Sequence, residues 1–327
     1  MNIIYGTNNI ICVYHYPCPD GEMAATIFRR NFPNSTFFGW RHELKEDNII
    51  SIKKLIDESL VKVQIYFLDI CPSFEFILEI KDKIDSLFII DHHKAACEKF
   101  ISDKEEYPIE LGYFEIKTQD YTLEVNKNKA NTNFKMIYDV SKSGCQLTWK
   151  YFYDKDYHPS VDHIGRKDIY NWDNKDTEPF TCGYQIYFNL SNDMTSIERL
   201  HLYELILSSD NIVISEIIKL GKSMIENYQE ECITLLPLVE LTQDTDKFGK
   251  EISIVQIPMT KYHLIKYILE LVQKKYPSYD ALKLAFTRDN KKIYSLRSIQ
   301  KDVRVDLLAQ KYGGNGHPAA SGYSIDI

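Results

Sequence analysis

Between residues 10 and 93 short apolar runs alternate with longer stretches of helical periodicity, and three of the four runs carry aspartate or histidine at or just past their carboxyl end. The runs are 10–14, 35–40, 63–70 and 87–90. The stretches between them, 22–30, 48–60 and 74–84, read as helices; in the second, Ile49, Ile52, Leu55 and Ile56 recur at helical spacing. This rhythm restricts the N-terminal part to an α/β architecture with a mostly parallel sheet covered on both faces. In such a sheet, ligands gather outside the carboxyl ends of the strands.

Those ends carry the chemistry. The first run leads into His15, Cys18, Asp20 and Glu22, the third reaches Asp69, and the fourth stops at Asp91-His92-His93. One aspartate or histidine after a strand is usually a cap or turn former. Three strand ends in one sheet that deliver them to one edge need another explanation. Carboxylates and imidazoles suit hard or borderline divalent cations, Mn²⁺ above all, with Mg²⁺ or Co²⁺ as substitutes. Two such ions about 4 Å apart share a water, neutralise phosphoryl oxygens and generate a nucleophile. Asp69, between the other two groups in sequence, is the natural bridging carboxylate.

Composition narrows the field. Of 327 residues 44% are hydrophobic, enough for a sizeable core, and no apolar run approaches the roughly 20 residues of a membrane span. The patchily apolar start lacks a basic flank and a small-residue cleavage site, so it reads as a buried strand and not as a signal peptide. A net charge of −8 speaks against a broad basic surface for long nucleic acid. Seven cysteines without a CxxC pair point to a reducing, cytoplasmic setting without a disulfide framework. Residues 1–195 are expected to form the catalytic domain, 196–240 a helical linker, and 241–327 a smaller α/β domain, with a cleft between the two domains. Residues 118–132 read as a polar loop or insertion.

Asp91-His92-His93 after Leu87-Phe88-Ile89-Ile90 resembles the motif that names the DHH phosphoesterase superfamily. His15-Tyr-Pro-Cys-Pro-Asp20-Gly21 is similar to that family's first motif, and Leu68-Asp69-Ile-Cys-Pro72 to its second. Asp168 before Ile-Tyr-Asn-Trp172 is similar to its fourth. The tail from Gly313 through Gly314, Gly316 and His317 to Gly322 looks like the glycine-rich signature of the DHH-associated C-terminal domain. The resemblance implies one metal site from His15 and Asp69, with the position of Cys18, and a second from Asp20, Asp69, His92 and Asp168. It implies that His93 faces the substrate phosphate and that Asp91 holds a loop or an imidazole in place. Arg297, with Gly314, Gly316 and His317, would bind the substrate. The chain departs from the family where Cys18-Pro19-Asp20 replaces a DxD pair: a cysteine is a poor ligand for Mn²⁺. Glu22 is expected to point along its helix instead of filling the gap.

The expected activity is metal-dependent hydrolysis of a phosphodiester or phosphoanhydride bond, in a short nucleotide or in polyphosphate, with His93, Asp91 and Arg297 serving the chemistry. A homodimer is compatible with this reading. A second reading, of a different class, is a catalytically impaired relative that binds a nucleotide as a sensor or scaffold. Gly144, behind Ser143, is read as the start of a capped helix, with a phosphate contact there secondary. His42 is read as an exposed loop residue.

Overall fold

A computed structural model describes residues 3–40, 46–106, 114–117, 122–125, 133–191, 193–288 and 290–326. His42 and most of 118–132 lie outside these residues. The chain divides into two compact units, Met1–Lys222 and Ser223–Ile327. No helix among the described residues is long and apolar enough to cross a membrane.

The first unit is α/β. In chain order its elements are β1 (Ile3–Ile4), β2 (Ile10–His15), α1 (Pro19–Asn31), β3 (Thr36–Trp40), α2 (Glu46–Asp57), β4 (Val63–Leu68), α3 (Phe74–Ile80), β5 (Ile84–Asp91), α4 (Lys94–Glu106), β6 (Phe114–Lys117), β7 (Thr122–Val125), β8 (Asn133–Tyr138), α5 (Gly144–Tyr153), α6 (Pro159–Asp168), α7 (Thr177–Tyr187) and α8 (Ser196–Leu207); α9 (Asn211–Leu235) contains the boundary. Among the described residues the sheet runs β1-β3-β2-β4-β5-β8-β6-β7. Its strands from β3 to β6 are parallel, and only the outermost pairings, β1 with β3 and β7 with β6, are antiparallel.

Side-chain alternation splits each central strand between two cores. Cys12 and Tyr14 of β2 and Tyr66 and Leu68 of β4 pack with α1, α5 and α6. Ile11 and Val13, with Ile65 and Phe67, pack on the other face with α2, α3 and α4. Burial on both faces makes these strands near-continuous apolar runs, as parallel strands require. The chain leaves β2 for β3 and then returns past β2 to β4. The order therefore reverses at β2, and the carboxyl ends of β2 and β4 flank a switch point where α/β sheets open a crevice.

Two stretches differ from the sequence reading. Residues 74–84 are not one helix: α3 stops at Ile80, and Ile84 already belongs to β5 with its side chain fully buried. Helix α7 has no clear sequence signal because Pro179 and Gly183 interrupt its pattern. Gly183 is there for close approach: a Cβ on it would lie 2.1 Å from the carbonyl oxygen of Ile217 in α9.

The second unit holds β9 (Glu240–Thr245), β10 (Glu251–Pro258), α10 (Ile265–Lys275), β11 (Ala281–Arg288), β12 (Lys291–Ser298), α11 (Val305–Lys311), β13 (Asn315–His317) and β14 (Ala320–Asp326). Its sheet runs β13-β14-β12-β11-β10-β9. Its parallel pair, β10 and β11, is joined through α10, as a crossover demands. Helix α10 packs on the face of Val255, Ile257, Leu282 and Leu284. Helix α11 packs on the face of Ile252, Ile254, Ala281 and Leu296.

Candidate metal centre

His15 is the last residue of β2, Asp69 follows β4 directly, and Asp91 ends β5 with His92 and His93 next in the chain. Because β2, β4 and β5 are parallel neighbours, these residues share one edge. Asp20 comes from the first turn of α1, and Asp168 is the last residue of α6. Overlapping donor groups result: His15, Cys18 and Asp69; Asp20, His92 and Asp168; and Asp69, Asp91, His92 and His93. Within each group, one ligand atom per residue lies within 4.8 Å of the others.

Asp69 stands between two of these groups. Its Oδ2 is 3.2 Å from His15 Nδ1, and its Oδ1 is 3.1 Å from His92 Nε2. His92 Nε2 is also 3.2 Å from Asp168 Oδ2 and 3.9 Å from Asp20 Oδ2. Yet Asp69 Oδ1 and His92 Nε2 are buried with no hydrogen bond of acceptable geometry among the described residues. The two atoms stand at ion-pair distance when His92 is protonated, and a cation held by both would take the place of that proton.

The electrostatics show how closely negative charge is crowded here without a cation. Burial, with Asp69 and Asp168 close by, pushes Asp20 well above the ordinary carboxylate range, and burial raises Asp69 too. Burial opposes a charge on His92, but Asp168, Asp69 and Asp20 overcome it and push its pKa up to about 11. Burial lowers His15, which keeps a lone pair for a ligand. Crowded carboxylates around imidazole form an oxygen–nitrogen donor set of the kind that suits Mn²⁺ or Mg²⁺. Burial and the nearby Asp69 push the Cys18 thiol up, so it stands beside His15 and Asp69 as a neutral, soft donor that contributes little to a hard cation.

The residues around the donors are held firmly. Asp91 Oδ1 accepts from the backbone N–H groups of His92 (2.8 Å) and His93 (3.3 Å) and from His93 Nδ1 (2.7 Å). It thereby folds its own loop, and its Oδ2 takes the Cys97 thiol at 3.4 Å. Burial works against a charge on His93, but the bond to Asp91 outweighs it and raises the imidazole.

Asp20 depends on a feature that the sequence reading missed. Ser143 caps α5 in a capping box with Gln146. The same helix end donates to Asp20: Ser143 Oγ at 2.7 Å and Cys145 N at 3.0 Å to Oδ1, and Gly144 N at 2.6 Å to Oδ2. The positive end of the helix therefore serves a carboxylate of this chain, in place of the secondary phosphate contact expected there. Gly144 must be glycine: a Cβ would lie 2.5 Å from Asp69 Cβ and 2.6 Å from its Oδ1. Gly144→Ala is expected to displace Asp69 and Asp20 together and to lower Mn²⁺ affinity about 10- to 100-fold with circular dichroism unchanged. Calorimetric titration checks it; unaltered affinity would show that α5 does not set the donors.

Glu22 does not face the donors. It is fully buried and bound bidentately by Arg199 of α8, with Arg199 Nη2 2.7 Å from Oε2. The remaining histidines have other company: His158 caps α6, His163 meets Thr177, His201 meets Arg29, and His263 packs on Tyr228.

The other residues singled out in the sequence lie in the second unit, and there the register groups them. Arg297 pairs with Ala320 across β12 and β14, and Ala320 pairs with His317 across β14 and β13. Directly paired residues share a sheet face, so Arg297 and His317 flank one small alanine. Ser295, Gly322 and Asn315 form the next row. Arg297 is half-buried and donates to Ser295 Oγ at 3.0 Å and to the Leu296 carbonyl at 2.8 Å. Gly314 sits against the Gly322 carbonyl, and Gly316 adopts φ 145° within the exposed β13 turn.

No family model matches the chain. A curated relative, an uncharacterized protein of Acanthamoeba polyphaga mimivirus, is 23% identical over 345 aligned positions that cover 99% of this chain and 69% of its own. Among solved structures, a pGpG-specific phosphodiesterase from Vibrio cholerae is similar at 11% identity, with 98% of this chain and 94% of its own covered and a TM-score of 0.49. An exopolyphosphatase-related protein from Bacteroides fragilis is similar at 14% identity, with 96% and 85% covered and a TM-score of 0.36.

Proposed function

We propose that this chain is a divalent-metal-dependent phosphoesterase of the DHH type, acting on a short nucleotide, with polyphosphate as the next candidate. One observation carries the reading: buried Asp69 turns one oxygen to His15 and the other to His92, the disposition of a carboxylate shared between two metal sites. His15 and Asp69 would hold one cation, and Asp69, Asp20, His92 and Asp168 the other. Such cations would supply electrophilic neutralisation of a phosphoryl oxygen and an acidified water.

The protein's own groups do the rest. The bond from His93 Nδ1 to Asp91 fixes the ring and turns Nε2 away from Asp91, toward a phosphoryl oxygen in this reading. Asp91 raises His93 above an ordinary histidine, so its ring would favour negative charge that develops beside it. The helix end at Ser143–Cys145 keeps Asp20 oriented between turnovers. Arg297 and His317 would grip a distal phosphate, Arg297 through its planar fork. An acidic chain with this compact pair of anchors fits a short substrate better than a long duplex.

The test is a hydrolysis screen with Mn²⁺ over dinucleotides, oligoribonucleotides, phosphonucleotides and polyphosphate, with metal analysis of the purified protein. Bound metal and turnover of one class support the reading. The second reading, a non-catalytic nucleotide binder, draws on Cys18 in place of an aspartate at the first donor group. Absence of turnover with any divalent ion, on these substrates and on bis-p-nitrophenyl phosphate, would favour it.

Arg297→Ala is expected to raise KM for the short substrate about tenfold or more while changing hydrolysis of bis-p-nitrophenyl phosphate little. Equal losses on both would show that Arg297 is no distal clamp.

A further inference from the structure

Cys71 lies just past β4, Asp91 ends β5, and Cys97 stands in the first turn of α4. No CxxC spacing links the two cysteines, but the parallel pairing of β4 with β5 and the turn into α4 bring them together. Cys71 Sγ, Cys97 Sγ and a carboxylate oxygen of Asp91 all lie within 4.8 Å of one another, and among the described residues this is the one donor group with two thiols. Cys97 Sγ is 3.4 Å from Asp91 Oδ2. In a tetrahedral zinc site, with Zn–S about 2.3 Å and Zn–O about 2.1 Å, the S···O edge is about 3.6 Å. The thiol and the carboxylate therefore already stand at the separation that one such ion imposes on its ligands. Asp91 and Cys97 are fully buried, whereas Cys71 is partly exposed and gives an ion its way in. Thiolates prefer soft or borderline cations, so this group selects a different ion from the carboxylates and imidazoles beside it.

We propose that Cys71, Cys97 and Asp91 form a site for a thiophilic divalent cation, Zn²⁺ above all, beside the hard-donor centre and chemically distinct from it. Each thiol gives its proton to solvent as its sulfur binds the ion, and the ion takes the place of the hydrogen bond between Cys97 and Asp91. A solvent molecule on the exposed side of Cys71 completes the tetrahedron, since three protein ligands and one water are a full set for zinc. Asp91 uses its other oxygen, Oδ1, to hold His92 and His93. An ion on Oδ2 would thus sit one carboxylate away from the phosphate-facing histidine. That consequence rests on the phosphoesterase reading; the site itself does not.

Cd²⁺ and Co²⁺ report thiolate ligation through ultraviolet charge-transfer absorption, which Mn²⁺ does not give. Either probe ion is titrated into the reduced full chain with Mn²⁺ in excess to occupy the hard donors. The absorption is expected to rise and saturate at one ion per chain. Cys71→Ser and Cys97→Ser should each lower the affinity for Cd²⁺ about 100-fold or more. Cys18→Ser, which removes the thiol beside His15 and Asp69, should leave the absorption in place. Should buried Cys97→Ser fail to fold, the partly exposed Cys71→Ser decides alone. Absence of a saturating band, a band that persists in Cys71→Ser, or one that is lost in Cys18→Ser would each overturn the proposal. None of these readouts involves turnover, so an inactive protein that shows the band would sink the phosphoesterase reading and keep the site.

Discussion

Exchanging Asp69 for asparagine is expected to lower turnover by about 10³-fold or more, worth roughly 4 kcal/mol of barrier, while leaving the protein at least as heat-stable as before. The two halves of this result have one cause. Asp69 is 1% exposed, lies near Asp20 and Asp91, and is raised by its burial. Without a cation its charge is a burden on the fold; with one on either side it is the shared ligand. Its backbone sits at φ 58°, in the left-handed region that asparagine tolerates at least as well, so the substitution removes charge without strain or cavity. Asp69→Asn would thus relieve repulsion and forfeit the site, the usual exchange of stability against function. Steady-state kinetics with Mn²⁺, calorimetric metal titration and a melting curve read all three quantities. Turnover within tenfold of the parent would sink the bridging role. A fall in melting temperature of several degrees would show that Asp69 is structural.

Much of this arrangement was legible because it is written in local sequence. Apolar runs that stop on Asp69 and on Asp91-His92-His93 announce both strand and donor, since a parallel strand buried on two faces needs an unbroken apolar run. The β10–α10–β11 unit was readable for the same reason. What escaped depends on partners distant in sequence. Nothing around Asp20 indicates that its carboxylate is bound by a helix end 123 to 125 residues away. A serine–glycine pair opening a helix signals a cap, and only the fold shows what the cap's free N–H groups reach. That Arg297 and His317 share a face follows from strand register, which needs both pairings of β14. Strand β9 leaves no strand signal in the sequence: its residues are largely exposed and polar, and among the described residues it pairs with β10 alone. Cys18 conforms to neither the metal-ligand pattern nor ordinary capping: it occupies the N-cap of α1 without a side-chain cap bond, beside His15 and Asp69.

The partnership of Glu22 and Arg199 joins residues 177 positions apart and yields the second large effect. Glu22 is fully buried, and the guanidinium that neutralises it also donates to the Ser191 carbonyl at 3.2 Å and lies 6.0 Å from the centre of the Tyr16 ring. Removing one member of a buried ion pair strands the other, at about 3–5 kcal/mol. Arg199→Ala is therefore expected to lower the melting temperature by about 6–20 °C. Replacing both members with apolar side chains, Glu22→Leu with Arg199→Met, strands no charge and is expected to recover most of that loss. The pair also separates fold from chemistry in α1. Asp20 turns to the donors and Glu22, half a turn on, turns to Arg199, so the double variant should bind Mn²⁺ with the parent's affinity. Differential scanning calorimetry and metal titration on the three proteins decide both points. A double variant as unstable as Arg199→Ala would show that the ion pair is not the origin of the loss, and one that folds but binds Mn²⁺ weakly would return Glu22 to the metal centre.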